Sequence, residues 1–172
     1  MAFLPFRDRA STILFRWPAI CAGLFVALGI HIVATALGLA IAFADHGAML
    51  EGLTTIGLLL WSGIAWVAAS FIGGYVTAWV ADSSRYVESL FHGLVLWGLL
   101  TFVLMFLPPS TMGVGATLSG APPSANVISL VAWFVAIGGI LSLGTTIWGA
   151  VIGSHVVAEV ETKASSDTYR AA

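Results

Sequence analysis

The chain has 172 residues, of which 59% are hydrophobic and only 8% are charged, and its formal net charge is −2. A soluble domain carries about 25% charged residues, so a chain with this few cannot cover a surface that faces water. The composition therefore predicts an integral membrane protein that works within a lipid bilayer. The negative net charge argues against nucleic acid as a partner.

Four long apolar stretches follow one another along the chain. A helix needs about 20 mostly apolar residues to cross the hydrocarbon core of a membrane. We therefore predict an all-α fold, a bundle of four transmembrane helices within 17–157, with the helices at 17–44, 53–81, 87–107 and 127–157.

The segments outside the four helices differ in composition. Residues 1–16 mix apolar side chains with arginines, which is typical of a segment lying at the membrane surface. Residues 108–126 contain four prolines, three glycines and no charge. We expect either a plain flexible connector or an outer loop that folds back over the bundle or against a partner. Residues 158–172 are polar, and we predict a mobile cytoplasmic tail.

The basic residues predict the orientation of the chain. None lies in the two loops after the first and third helices, and the positive-inside rule makes the side that carries basic residues cytoplasmic. We therefore expect both termini in the cytoplasm. The six basic residues are Arg7, Arg9, Arg16, Arg85, Lys163 and Arg170.

Small residues recur at helical spacing in three of the four helices. In lipid, helices associate where small side chains let their backbones approach closely. These stripes predict packing within the chain, and at least one of them could pack a second protomer. The glycines expected at helix contacts are Gly38, Gly63, Gly73, Gly138, Gly149 and Gly153.

One histidine is predicted to lie deep in the membrane. His31 falls about 20 Å into the first helix at about 1.5 Å per residue. Ionisable groups at that depth usually face the interior of a bundle. We expect His31 to be buried and hydrogen-bonded to a Ser, a Thr or a carbonyl, with a proton-relay or ligand role as the alternative.

Two Glu/His pairs fall near the cytoplasmic ends of the third and fourth helices. Glu88 and His92 lie four residues apart, as do His155 and Glu159, and the two histidines share a predicted depth. These four residues could hold a metal, or the histidines a haem. Known bundle sites use Glu-x-x-His instead. We therefore favour residues that solvate helix ends, with no metal and no cofactor.

Three stretches form a distinctive series: RWPAICAGLFVALGIHIVATALGLAIAF from Arg16, FIGGYVTAWVA from Phe71 and LFHGLVLWGLL from Leu90. In this order they resemble a family of small bacterial membrane proteins, some of which carry the label PhnA-like. The resemblance spans about 16–104 and departs at Pro18, where the family has glycine. It implies a four-helix fold in the bacterial plasma (inner) membrane, and no particular activity.

The sequence favours a non-enzymatic protein that acts through assembly. It would form a homo-oligomer or serve as an accessory subunit of a larger membrane complex, because small-residue faces are frequent and enzyme signatures such as a P-loop or G-x-S-x-G are missing from the sequence. The alternatives are a channel or transporter for ions or small solutes, and a metal- or haem-binding protein.

Overall fold

The computed structural model describes residues 16–44, 51–82, 85–106 and 125–171, and almost all of them are helical. The predicted all-α class is confirmed, with four helices long and apolar enough to cross a membrane. Most of the predicted surface segment at 1–16 and of the loop at 108–126 lies outside the described residues. The helices are α1 (Trp17–Ala44), α2 (Glu51–Val80), α3 (Tyr86–Phe106) and α4 (Ala125–Ala171).

The last helix differs from its predicted extent. We expected a helix to 157 and then a separate polar tail, but α4 continues as one helix to Ala171. The segment after Gly153 contains neither glycine nor proline, the two residues that most disfavour the interior of a helix. The polar residues of this segment therefore favour water around the end of α4 but do not end the helix.

The ends of the helices follow from local chemistry. The carbonyl of Arg16 accepts hydrogen bonds from the N–H groups of Ala19 and Ile20, at 3.0 and 3.3 Å, and so begins α1. Pro18 fits in this first turn because its missing N–H would have no partner within the helix. After α2, Asp82 adopts a left-handed conformation with φ of 50°. Aspartate tolerates that region better than most residues, and the chain turns there.

The helices pack around α2. Half of the most apolar stretch of α2 is buried, against 11% for α4. Helices α1 and α4 lie on either side of α2 and scarcely meet, while α3 contacts the other three. The starts of α1 and α3 and the end of α2 lie together, and we call this the basic end because Arg16 and Arg85 are there; the opposite end is the far end.

Toward the basic end, α2 and α4 approach each other backbone to backbone. A Cβ atom added to Gly149 of α4 would collide with the carbonyl of Phe71, and one added to Gly74 of α2 would collide with the carbonyl of Thr146. Further along α4, a Cβ on Gly153 would lie 2.6 Å from the carbonyl oxygen of Tyr75. Only glycine allows this separation at these positions.

Helix α1 meets α2 in the same way. A Cβ on Gly73 would lie 2.8 Å from the Cβ of Ala27 and 2.9 Å from the carbonyl oxygen of Gly23. Beside this contact lies a small buried core to which α1, α2 and α3 all contribute. Its members are Ile20, Ala27, Trp66, Ala69, Leu96 and Leu100.

Toward the far end, aromatic side chains separate the helices. The ring of Trp61 lies against Gly38, and its Nε1–H donates a hydrogen bond of 2.7 Å to the carbonyl of Ala34. The ring of Phe134 comes within 2.6 Å of where a Cβ on Gly63 would lie. Gly138 was expected at a helix contact, but an added Cβ there would meet no atom within 4 Å. Gly138 faces open space, whereas Phe134, one turn earlier on α4, still packs against α2.

The contrast between two glycines of α4 gives a test of these contacts. We expect Gly149→Ala to lower the free energy of unfolding by about 1–3 kcal/mol, the usual cost of overpacking. Gly144→Ala adds the same atom where nothing lies within 4 Å. It should leave stability unchanged or raise it by up to about 1 kcal/mol, because alanine favours a helix over glycine. Unfolding in detergent, followed by circular dichroism, measures both; equal stabilities would contradict the packing described.

Candidate functional site

His92 joins α3 to the start of α1. Its side chain is fully buried. The Nδ1 atom lies 2.7 Å from the carbonyl oxygen of Glu88, and Nε2 accepts a hydrogen bond of 3.3 Å from the backbone N–H of Arg16. Because a carbonyl oxygen can only accept, Nδ1 must carry the proton. The geometry therefore selects the neutral imidazole protonated at Nδ1.

This arrangement gives the Glu88/His92 pair a structural role. Glu88 contacts His92 through its main-chain carbonyl, while its half-buried carboxylate belongs to the first turn of α3. A carboxylate in that position is favourable beside the positive end of the helix dipole. The histidine lies one turn deeper and holds two helix starts together.

The Glu/His residues near the basic end do not converge on a metal site. His155 and Glu159 are exposed on α4. Both ring nitrogens of His92 are engaged with backbone groups, so a metal could reach either nitrogen only by breaking a hydrogen bond. The described residues contain no group of three or more His, Cys, Asp or Glu side chains that could share an ion.

His31 lies in the interior, between α1 and α2. Only 3% of its surface is exposed, and its ring meets the indole of Trp66 edge to face, with centroids 5.0 Å apart and planes at 81°. His31 lies on the small-residue stripe of α1, the face of that helix which packs against α2. Its expected hydrogen bond to a Ser, a Thr or a carbonyl stays a prediction.

A cavity of about 350 Å³ opens beside His31, toward the far end of the bundle. All four helices contribute to its wall. Three of the lining residues carry hydrogen-bonding side chains besides the indole of Trp66, namely His31, Ser62 and Thr101, and the rest of the wall is apolar or glycine. The other lining residues are Gly63, Trp66, Leu104, Phe134, Val135, Gly138 and Gly139.

Trp97 fastens α3 to α4 next to this cavity. Its Nε1–H is shared between the carbonyl of Gly139, at 3.2 Å, and the hydroxyl of Ser142, at 3.1 Å. The Ser142 hydroxyl in turn donates to the Gly139 carbonyl at 2.9 Å. Sequence reasoning missed this interaction, although Trp97 falls in the same quoted stretch as His92.

Two buried hydroxyls lack such a partner. Within the described part of the chain, no group bonds to the hydroxyl oxygens of Thr35 and Ser70. Thr35 lies one turn from His31 on α1, and Ser70 lies one turn from Trp66 on α2. Leaving a buried hydroxyl without a hydrogen bond costs about 1–3 kcal/mol, so these two positions are not optimised for stability alone.

An apolar groove runs along the outside of the bundle between α2 and α4, with a volume of about 840 Å³. Its walls include the exposed side chains of Ile64, Leu141 and Trp148. Between them lie the smaller residues Ala68 and Thr145. The groove faces the surroundings of the protein, and it shares Gly63, Phe134 and Gly138 with the lining of the cavity.

Comparison with known proteins assigns no role to these sites. No family model, curated protein or solved structure matches the chain. The resemblance to PhnA-like membrane proteins therefore stays a prediction.

The role of His92 can be tested against the other histidine near the basic end. His92→Gln removes both backbone contacts, and we expect it to lower the free energy of unfolding by about 1–3 kcal/mol, the cost of leaving buried groups unpaired. His155→Gln makes the same change at an exposed position and should change stability by less than about 0.5 kcal/mol. Denaturation in detergent measures both variants. If both variants lose the same stability, the hydrogen bond between His92 and Arg16 does not stabilise the fold.

Proposed function

We propose that the chain is an integral membrane protein of the bacterial plasma membrane, with four spans and both termini in the cytoplasm. The length and apolar character of the four helices support insertion. Arg16 and Arg85 directly precede α1 and α3 at one end of the bundle. Lys163 follows the part of α4 that packs on the end of α2. Basic residues gathered at one end favour a cytoplasmic location for that end.

Labelling of introduced cysteines tests this orientation. The exposed native thiol Cys21 is first replaced by serine, which leaves the chain without cysteine. A cysteine at Gly115 should then react with a membrane-impermeant maleimide in intact cells. A cysteine at Ser166 should react only after the cells are opened. Labelling of Ser166→Cys in intact cells would contradict the orientation.

We further propose that the protein acts through assembly rather than catalysis, as a homo-oligomer or as an accessory subunit. The observation that carries this proposal is the groove between α2 and α4. Most of the small-residue stripes are used within the chain, since Gly73, Gly149 and Gly153 pack against neighbouring helices. The groove instead offers Ala68 and Thr145 at its base, and small residues there let another helix approach closely in lipid.

Filling the groove should weaken assembly. Ala68→Phe places a large ring in the groove, and we expect the ratio of complex to free chain to fall about tenfold, which corresponds to about 1.4 kcal/mol. Ala36→Phe makes the same change at an exposed position of α1 away from the groove and should have no effect. Native mass spectrometry from a mild detergent measures the ratio. A chain that is monomeric in membranes and mild detergent, with no co-purifying subunit, would refute the proposal.

A further inference from the structure

The cavity beside His31 has the size and position of a binding site within the membrane. Its volume of about 350 Å³ falls in the range of about 300–1,000 Å³ found for small-molecule sites. His31 lies about 21 Å along α1 from Trp17, at about 1.5 Å per residue. At that depth the cavity is open to molecules dissolved in the hydrocarbon core.

The polar groups on the cavity wall can both donate and accept hydrogen bonds. Ser62 is 6% exposed and lines the cavity, and a serine hydroxyl can both donate and accept a hydrogen bond. The hydroxyl of Thr101 donates to the carbonyl of Trp97 at 2.9 Å, which leaves its oxygen as an acceptor. The imidazole of His31 completes this polar part of the wall.

The remaining wall suits a flat apolar body. Trp66 and Phe134 present aromatic rings, which pack well against another ring. Gly138 and Gly139 leave space on the α4 side, because an added Cβ would meet nothing within 4 Å at either position. A lipid acyl chain would fill such a space without offering any atom to Ser62 or His31.

We propose that this cavity binds a small, lipid-soluble ring compound that carries a carbonyl or hydroxyl group. That group lies toward Ser62 and His31, and the ring lies among Trp66, Phe134 and the two glycines. The site goes beyond the proposed assembly function, because the cavity is built by the four helices of one chain and is separate from the polar contacts at the basic end.

The test uses two probes with the same methylated two-ring carbon skeleton, menadione with two carbonyl groups and 2-methylnaphthalene with none. Each is titrated into the purified full-length Cys21→Ser protein in detergent, because menadione adds to thiols and Cys21 is exposed. Empty micelles serve as the blank, and binding is followed by saturation-transfer NMR. We expect saturable binding of one menadione per chain and at least tenfold weaker binding of 2-methylnaphthalene. Ser62→Ala should weaken menadione binding about tenfold and leave 2-methylnaphthalene binding unchanged.

Two glycine variants then locate the site. Gly139→Leu fills the cavity and should abolish menadione binding. Gly144→Leu makes the same change on the same helix, where an added Cβ also meets nothing but the residue does not line the cavity, and should preserve binding. Circular dichroism and melting temperature establish that each variant is folded. If Gly139→Leu does not fold, the Ser62→Ala comparison decides.

Three results would overturn the proposal. Equal binding of the two probes, with no effect of Ser62→Ala, would mean that the cavity takes an apolar occupant such as an acyl chain. Equal losses in folded Gly139→Leu and Gly144→Leu proteins would place menadione elsewhere. Partitioning of menadione that never saturates would mean that the cavity has no affinity for the class. None of these results bears on the oligomer mass, so the proposed assembly stands or falls separately.

Discussion

The close approach of the α2 and α4 backbones determines much of this structure. The contact is reciprocal: each helix places a glycine against a carbonyl of the other, with Gly74 facing Thr146 and Gly149 facing Phe71. In each helix the glycine and the carbonyl residue are three positions apart, so one face supplies both partners. In lipid, where apolar side chains gain nothing by leaving their solvent, such packing is a main source of association between helices. The position of α4 therefore depends on Gly74 and Gly149, because any side chain at either position would hold the two helices apart.

This tight contact explains why the far end of the bundle is wider. Helices that meet backbone to backbone near one end diverge along their length unless matching small residues continue the contact. Toward the far end the contacts change character, and rings occupy the space beside glycines: Trp61 at Gly38 and Phe134 at Gly63. An aromatic ring holds two helices apart and leaves more unfilled space between them than close-packed backbones do. The cavity opens in this region, where a Cβ added to Gly138 or Gly139 of α4 would meet no atom within 4 Å.

The sequence predicted the helices well because length and apolar composition are properties of single segments. The first three helices differ from their predicted bounds by at most two residues at either end. Properties that depend on two segments were harder to predict. Gly138 and Gly149 lie on the same small-residue stripe of α4, yet only Gly149 meets another helix. The stripe alone does not show where α4 diverges from α2. Likewise, the Glu/His spacing placed His92 near Glu88 but could not show that a backbone N–H of α1 would reach its Nε2 atom.

The two buried histidines illustrate how packing decides what a polar side chain can do. At the tight end, His92 is held between two backbone groups that fix its tautomer: Nδ1 bonds within α3, and Nε2 joins α3 to the start of α1. Toward the wide end, His31 meets Trp66 and borders the cavity, and one turn away on α1 the buried hydroxyl of Thr35 has no partner among the described residues. A bundle selected only for stability would replace such hydroxyls with apolar groups, because an unpaired buried hydroxyl costs free energy. The unpaired hydroxyl of Thr35, one turn from a histidine on the cavity wall, supports the proposed binding role of the wide end, whereas the close backbone contacts of the tight end fix the positions of the helices.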